Sequence, residues 1–167
     1  MPEPRSVAIA NTSPLQYLHQ CGLIDLMARL YQEVLVPPAV VQELAAGRAL
    51  GFDLPDPSGF PWVRVVRPQS MAILPVVSDL GAGEREALAL AAEMPGAILI
   101  IDDGLARRYA DLLRVRFTGT AGVLVKAKRE GLLDAVAPVL DRLAALRFRL
   151  DTQTRAAVLR QAGEEMP

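Results

Sequence analysis

The chain has 167 residues, 51% of them hydrophobic and 22% charged, which excludes disorder and suffices for one domain with a sizeable core. Aromatics make up only 5%, so that core must be aliphatic; the single cysteine, Cys21, excludes an intramolecular disulfide and weighs against a thiolate zinc site. A formal net charge of −1 neither requires nor forbids a nucleic acid, and any such partner has to be held by a local basic surface.

Met1 to Asn11 holds no hydrophobic run of signal-peptide length, and no later stretch approaches a membrane span, so a cytoplasmic protein with no membrane partner is expected. Val7–Ala10 predicts a short strand ending at Asn11-Thr12-Ser13-Pro14, where Ser13 and Pro14 open a helix through Leu15, Leu18 and His19. Gly22 interrupts it. A second short helix is expected from Leu23 to Tyr31, then a strand at Val34-Leu35-Val36. Pro37-Pro38 opens a helix through Val40, Val41 and Leu44 that should stop at Gly47.

Residues 47–61 are dense in Gly and Pro and read as a surface loop, with Trp62–Val66 as an edge strand behind it. Between Arg67 and Asp79 the pattern carries little. A helix then runs from Gly83 to about Met94 and ends at Pro95-Gly96. Ala97–Ile101 is an unbroken aliphatic run closed by Asp102-Asp103, the pattern of a central parallel strand buried on both faces. A helix to Leu113, a strand over Val115–Thr118, a helix from Thr120 to Gly131 and two further helices near 134–146 and 152–162 complete the chain. The whole reads as one domain, with a core at about 7–131 and C-terminal helices at about 134–162. Alternating strands and helices indicate an α/β fold with a mostly parallel sheet.

That topology sends acids from distant positions to one end of the sheet. Asn11, Asp102, Asp103 and Thr118 follow strands, and Glu43 lies early in the helix after Val34–Val36. Glu84 and Glu86 stand in the first two turns of a helix that starts at the same edge, where open α/β sheets build sites. The competing reading is that Asp102 or Asp103 merely caps the next helix, since Asp is a favoured N-cap. The helix carrying Glu86 is apolar all round, so Glu86 needs a partner or a metal. Glu84 and Glu86 sit about 200° apart on the helix, so both cannot enter one site. Oxygen ligands without Cys or His clusters suit Mg²⁺ or Mn²⁺, and such ions suit phosphodiester hydrolysis.

Four segments then carry a resemblance: Ile9-Ala-Asn11-Thr-Ser-Pro-Leu15, Val34-Leu-Val-Pro-Pro-Ala-Val-Val-Gln-Glu43-Leu44, Leu80-Gly-Ala-Gly-Glu84-Arg-Glu86-Ala87 and Ile101-Asp102-Asp103 with Ala106-Arg107. Their order and spacing resemble a PIN domain over roughly residues 7–160, in a prokaryotic branch related to the VapC-type toxin ribonucleases that also shows Thr118-Gly-Thr-Ala-Gly122 and Ala127-Lys-Arg-Glu-Gly131. The resemblance implies a three-layer α/β/α sandwich and an acidic pocket binding Mg²⁺ or Mn²⁺. It implies an endoribonuclease with an RNA substrate and, in the toxin case, a small antitoxin protein; a homodimer is also expected. The family's first acid falls on Asn11, a departure that makes a catalytically weak nucleic-acid- or protein-binding module the alternative reading. The catalytic set is then Glu43, Glu86 and Asp103. The metal set is Asn11, Glu43, Glu86 and Asp102 or Asp103, with preference for Glu86 over Glu84 and for Asp103 over Asp102. Thr12, Glu84, Thr118 and Thr120 are supporting candidates. Arg107, first of a basic second half that includes Arg108, Arg114, Arg116, Lys126, Lys128 and Arg129, is the phosphate-binding candidate.

Overall fold

The computed structural model describes residues 4–72 and 79–164, so part of the weakly patterned stretch before Asp79 lies outside the described residues. Among the described residues, five strands form one sheet: β1 (Ala8–Ala10), β2 (Val34–Val36), β3 (Val63–Val65), β4 (Ile98–Ile100) and β5 (Phe117–Thr118). Their order is β3-β2-β1-β4-β5 and every pairing is parallel. Ile9 sits in register with Leu35 on one side and Leu99 on the other, which places the expected central pair side by side. All three residues of β1 and of β2 are buried, as a strand covered on both faces requires.

Alternation along the strands divides the core. Ile9, Leu35, Leu99 and Ile101 pack with α4 (Ala82–Glu93) and α5 (Gly104–Leu112) on one face. Ala8, Ala10, Val34, Val36 and Ile100 pack on the other with α1 (Thr12–Gln20), α2 (Leu26–Leu30), α3 (Pro38–Ala49), α6 (Thr120–Arg129), α7 (Ala137–Ala145) and α8 (Thr152–Gln161). The result is a three-layer α/β/α sandwich. Chain order leaves β1 toward β2 on one side and resumes at β4 on the other, so the switch point lies between the carboxyl ends of β1 and β4.

Several boundaries differ from the sequence expectation. The second helix contracts to Leu26–Leu30, and the last strand to Phe117–Thr118. The third helix runs through Gly47 to Ala49. Gly47 is there for clearance: a Cβ would stand 2.2 Å from Leu54 Cδ1, so the following loop folds back against the helix.

At the C-terminal end, Glu164 holds the start of α7. Its carboxylate accepts from the backbone N–H of Val136 (2.7 Å) and Ala137 (3.0 Å) and from Lys128 Nζ (3.0 Å). Burial alone would raise this carboxyl, but the bonds from Val136, Ala137 and Lys128 outweigh it and hold it below its ordinary value. A carboxyl lowered in the folded state contributes stability above its unfolded pKa, and that contribution is lost as the pH falls through the folded value. Glu164→Ala should therefore cost about 1–2 kcal/mol at pH 7. Melting curves should show the difference shrinking as the medium is acidified; a penalty independent of pH would contradict a charge-based cap.

Candidate active site at the carboxyl edge

Asn11 follows β1 at the switch point, and its N–H extends the ladder by donating to Ile100 O at 3.1 Å. It occupies the N-cap of α1, where an Asn oxygen ordinarily accepts from the first turn, yet it makes no capping bond. The residue is only 4% exposed, and its Oδ1 is buried with no hydrogen-bond partner among the described residues. Such an atom costs about 1–3 kcal/mol unless something else engages it.

Beside it, Glu43 in the second turn of α3 ties three helices together. Its carboxylate accepts from Thr12 Oγ1 (2.5 Å), at the start of α1, and from Gly83 N (2.9 Å), in the first turn of α4. Position 83 has to be glycine for this approach, since a Cβ there would lie 2.6–2.9 Å from the carboxylate atoms of Glu43. The sequence places Glu43 at the right edge but carries no signal for Gly83 beyond its glycine-rich neighbourhood.

Glu84 and Glu86 separate as helical spacing demands, in the opposite sense to the sequence preference. The Glu84 carboxyl is raised above its ordinary value, first by burial, then by the charge of Asp103, with a smaller contribution from Glu43 and an opposing hydrogen bond from the Gly81 backbone. Glu84 therefore lies among the other acids and lines the same cleft as Asp102 and Asp103. Glu86 turns toward α3 instead, and its Oε2 accepts from Ala39 N at 2.6 Å. The reason lies in α3 itself: its N-cap is Pro37, which has no side-chain acceptor, so α4 supplies one. The partner that a Glu on a buried helix requires is thus a helix terminus.

The two strand-end aspartates also divide. Asp103 is the N-cap of α5 and accepts from Ala106 N (2.9 Å) through one oxygen only. Asp102 spends both oxygens on Thr120, accepting from its N and its Oγ1 at 2.7 Å each, and so fixes the start of α6. Burial raises the Asp102 carboxyl, and the Thr120 bonds and the Arg107 charge pull against that rise. Glycine again makes the room: a Cβ at Gly119 would meet Asp102 Oδ1 at 2.8 Å, and one at Gly122 would meet Thr118 Oγ1 at 2.0 Å. Thr118 and Thr120 are accordingly packing and capping residues of the α6 start, the former also lining the cleft. Arg107 does not pair in the simple helical manner with Asp103. Its guanidinium lies 5.1 Å over the Phe117 ring, beside Asp102, with Nε buried and unpartnered.

Of these groups, Glu84, Asp102, Asp103, Arg107 and Thr118 line a cleft of about 750 Å³ that the segment joining α7 to α8 also lines. Among the described residues, no three His, Cys, Asp or Glu side chains stand close enough together to hold a metal ion as placed. The donor chemistry nevertheless fits a hard cation. Glu84 and the free oxygen of Asp103 repel one another without a counter-charge, and Asn11 Oδ1 has no partner. Also among the described residues, no helix is long and apolar enough to cross a membrane.

A family model described as PIN domain matches residues 7–164. No curated protein matches the chain. With the all-parallel sheet, the flanking helices and the acidic edge in place, the chain belongs to the PIN-domain family, whose fold is generally that of nucleases.

Proposed function

We propose that this chain is a divalent-metal-dependent endoribonuclease whose acidic residues are Glu84, Asp103 and Glu43, with Asn11 supplying a neutral oxygen. The observation that carries this reading is the buried, unpartnered Oδ1 of Asn11 at the switch point, next to the strand end bearing Asp102 and Asp103. Glu84 lines the cleft with Asp102 and Asp103, whereas the Glu86 carboxylate is taken up by Ala39 N, which supports Glu84 over Glu86. Mg²⁺ or Mn²⁺ would be held by Glu84, Asp103 and Asn11, with Glu43 at its outer side; bound there, it would neutralise charge on a scissile phosphate and make water a better nucleophile. The protein's own part is positional. Glu43 pins α1 and α4 together, Asp102 fixes α6, and Arg107 offers a cation at the mouth. The narrower reading proposed with it is a cytoplasmic, homodimeric, toxin-type nuclease paired with a small antitoxin protein.

Replacing a carboxylate by an amide removes one formal charge from the site, a change worth one to two powers of ten in cation affinity, at about 1.4 kcal/mol for each factor of ten. Asn11→Asp should therefore bind Mn²⁺ about ten- to a hundredfold more tightly by calorimetry and cleave a mixed RNA substrate faster, with EDTA abolishing both activities. If Asn11→Asp binds Mn²⁺ no better and cuts no faster, Asn11 is no ligand and the binding-module reading takes over.

A further inference from the structure

The segment from Arg147 to Leu150 lines the cleft that Glu84, Asp102 and Asp103 also line, and its residues alternate in character. Phe148 turns inward, its ring edge-on to Tyr17 at 5.0 Å, and Leu150 packs on the main core. Arg147 and Arg149 are exposed and line the cleft. Among the described residues neither enters an ion pair. With Arg107, three guanidiniums line a cavity that the carboxylates of Glu84, Asp102, Asp103 and Asp151 also line.

The backbone at Arg147 adds a second observation. Among the described residues, six helices end in the same turn, in which the residue after the C-cap takes a left-handed conformation and the next N–H reaches back into the last turn. At Gly22, Gly51, Gly131 and Gly163 that residue is glycine, as sterics favour. At Arg114 (φ 57°) and Arg147 (φ 68°) it is arginine. Arg114 ends α5, remote from the cleft, whereas Arg147 ends α7 at the cleft wall.

We infer that Arg147 and Arg149 form a phosphate-gripping wall for a single-stranded polynucleotide lying in this cleft, its backbone on the arginines and its scissile linkage toward Glu84 and Asp103. The occupant's class rests on the nuclease reading above. A cleft of about 750 Å³ takes a short single strand and not a double helix, and an arginine-lined groove beside an aromatic pair is the usual way a strand is held without base readout.

The test measures binding in EDTA, so it does not depend on cleavage. Fluorescence anisotropy with a labelled single-stranded RNA is read across a salt series for the wild type, Arg147→Gly, Arg149→Ala and Arg114→Gly. Arg147→Gly and Arg149→Ala should each weaken binding about five- to tenfold and flatten the salt slope by about 0.7. Because glycine relieves the left-handed strain, Arg147→Gly and Arg114→Gly should both melt a few degrees higher, about 2–4 °C. Arg114→Gly should bind RNA as the wild type does. A purely structural Arg147 gives the stability gain without loss of affinity, and that result overturns the wall; so does a wild-type chain that binds no single-stranded RNA. Loss of affinity in Arg147→Gly together with no metal-dependent cleavage by the wild type upholds the wall and overturns the nuclease reading instead.

Discussion

Millimolar Mn²⁺ should raise the melting temperature of the wild-type chain markedly, and Glu84→Gln should abolish most of that rise. At a hundredfold excess over Kd, binding to the folded state alone adds about 2.7 kcal/mol. In a domain of this size that corresponds to roughly 5–10 °C. The physical basis is the burial of the Glu84 carboxylate, reinforced by the like charge of Asp103 and, to a smaller extent, of Glu43. For the same reason Glu84→Gln should stabilise the metal-free protein at pH 7, by about 0.5–1 kcal/mol, the size of a partly screened charge pair. Differential scanning fluorimetry with and without Mn²⁺ reads both effects. A wild-type melting curve unmoved by Mn²⁺ would contradict a usable site, and a metal-free Glu84→Gln that melts lower would contradict the repulsion.

A second large effect should follow from Gly83→Ala, which leaves every acidic residue of the site unchanged. The added methyl would press into the Glu43 carboxylate, whose atoms lie 2.6–2.9 Å from the Cβ position, and so displace the group that joins α1 to α4. Stability should change little, because alanine gains up to about 1 kcal/mol over glycine in a helix while one charge-assisted hydrogen bond is lost. Cleavage should fall at least about a hundredfold, the cost of misplacing a catalytic group by an ångström. The pairing of a near-native melting temperature with a lost rate is the signature to look for. Full activity in Gly83→Ala would show that the seat of Glu43 does not matter to the chemistry.

The architecture was largely legible because its signals are local. Ala97–Ile101 is too aliphatic to be anything but a buried strand, and acids after strands must fall at one edge once the sheet is parallel. The roles of individual acids were not legible, because they depend on what lies across space. The sequence shows that Glu86 needs a partner, but not that the cap-deficient Pro37 leaves Ala39 N waiting for it 47 residues away. Likewise Asp102 and Asp103 are adjacent letters, and only the approach of Thr120 shows that one of them is fully spent. Gly83, Gly119 and Gly122 were seen as parts of motifs, although their function is clearance for a carboxylate or hydroxyl on another element. The Arg147–Leu150 wall did leave a trace, an alternation of arginine with apolar residues, but four residues between two helices are too few to distinguish a wall from a linker.

The most direct measurement compares single-turnover cleavage of RNA in Mn²⁺ by the wild type, Glu84→Gln and Glu86→Gln. If the acids act as placed, Glu84→Gln loses at least about a hundredfold in rate, in line with the loss of a group that stabilises the transition state. Glu86→Gln should keep a near-wild-type rate and lose only about 1–2 kcal/mol of stability with its cap on α3. The reverse pattern, an inactive Glu86→Gln beside an active Glu84→Gln, would contradict the assignment of Glu84 to the site.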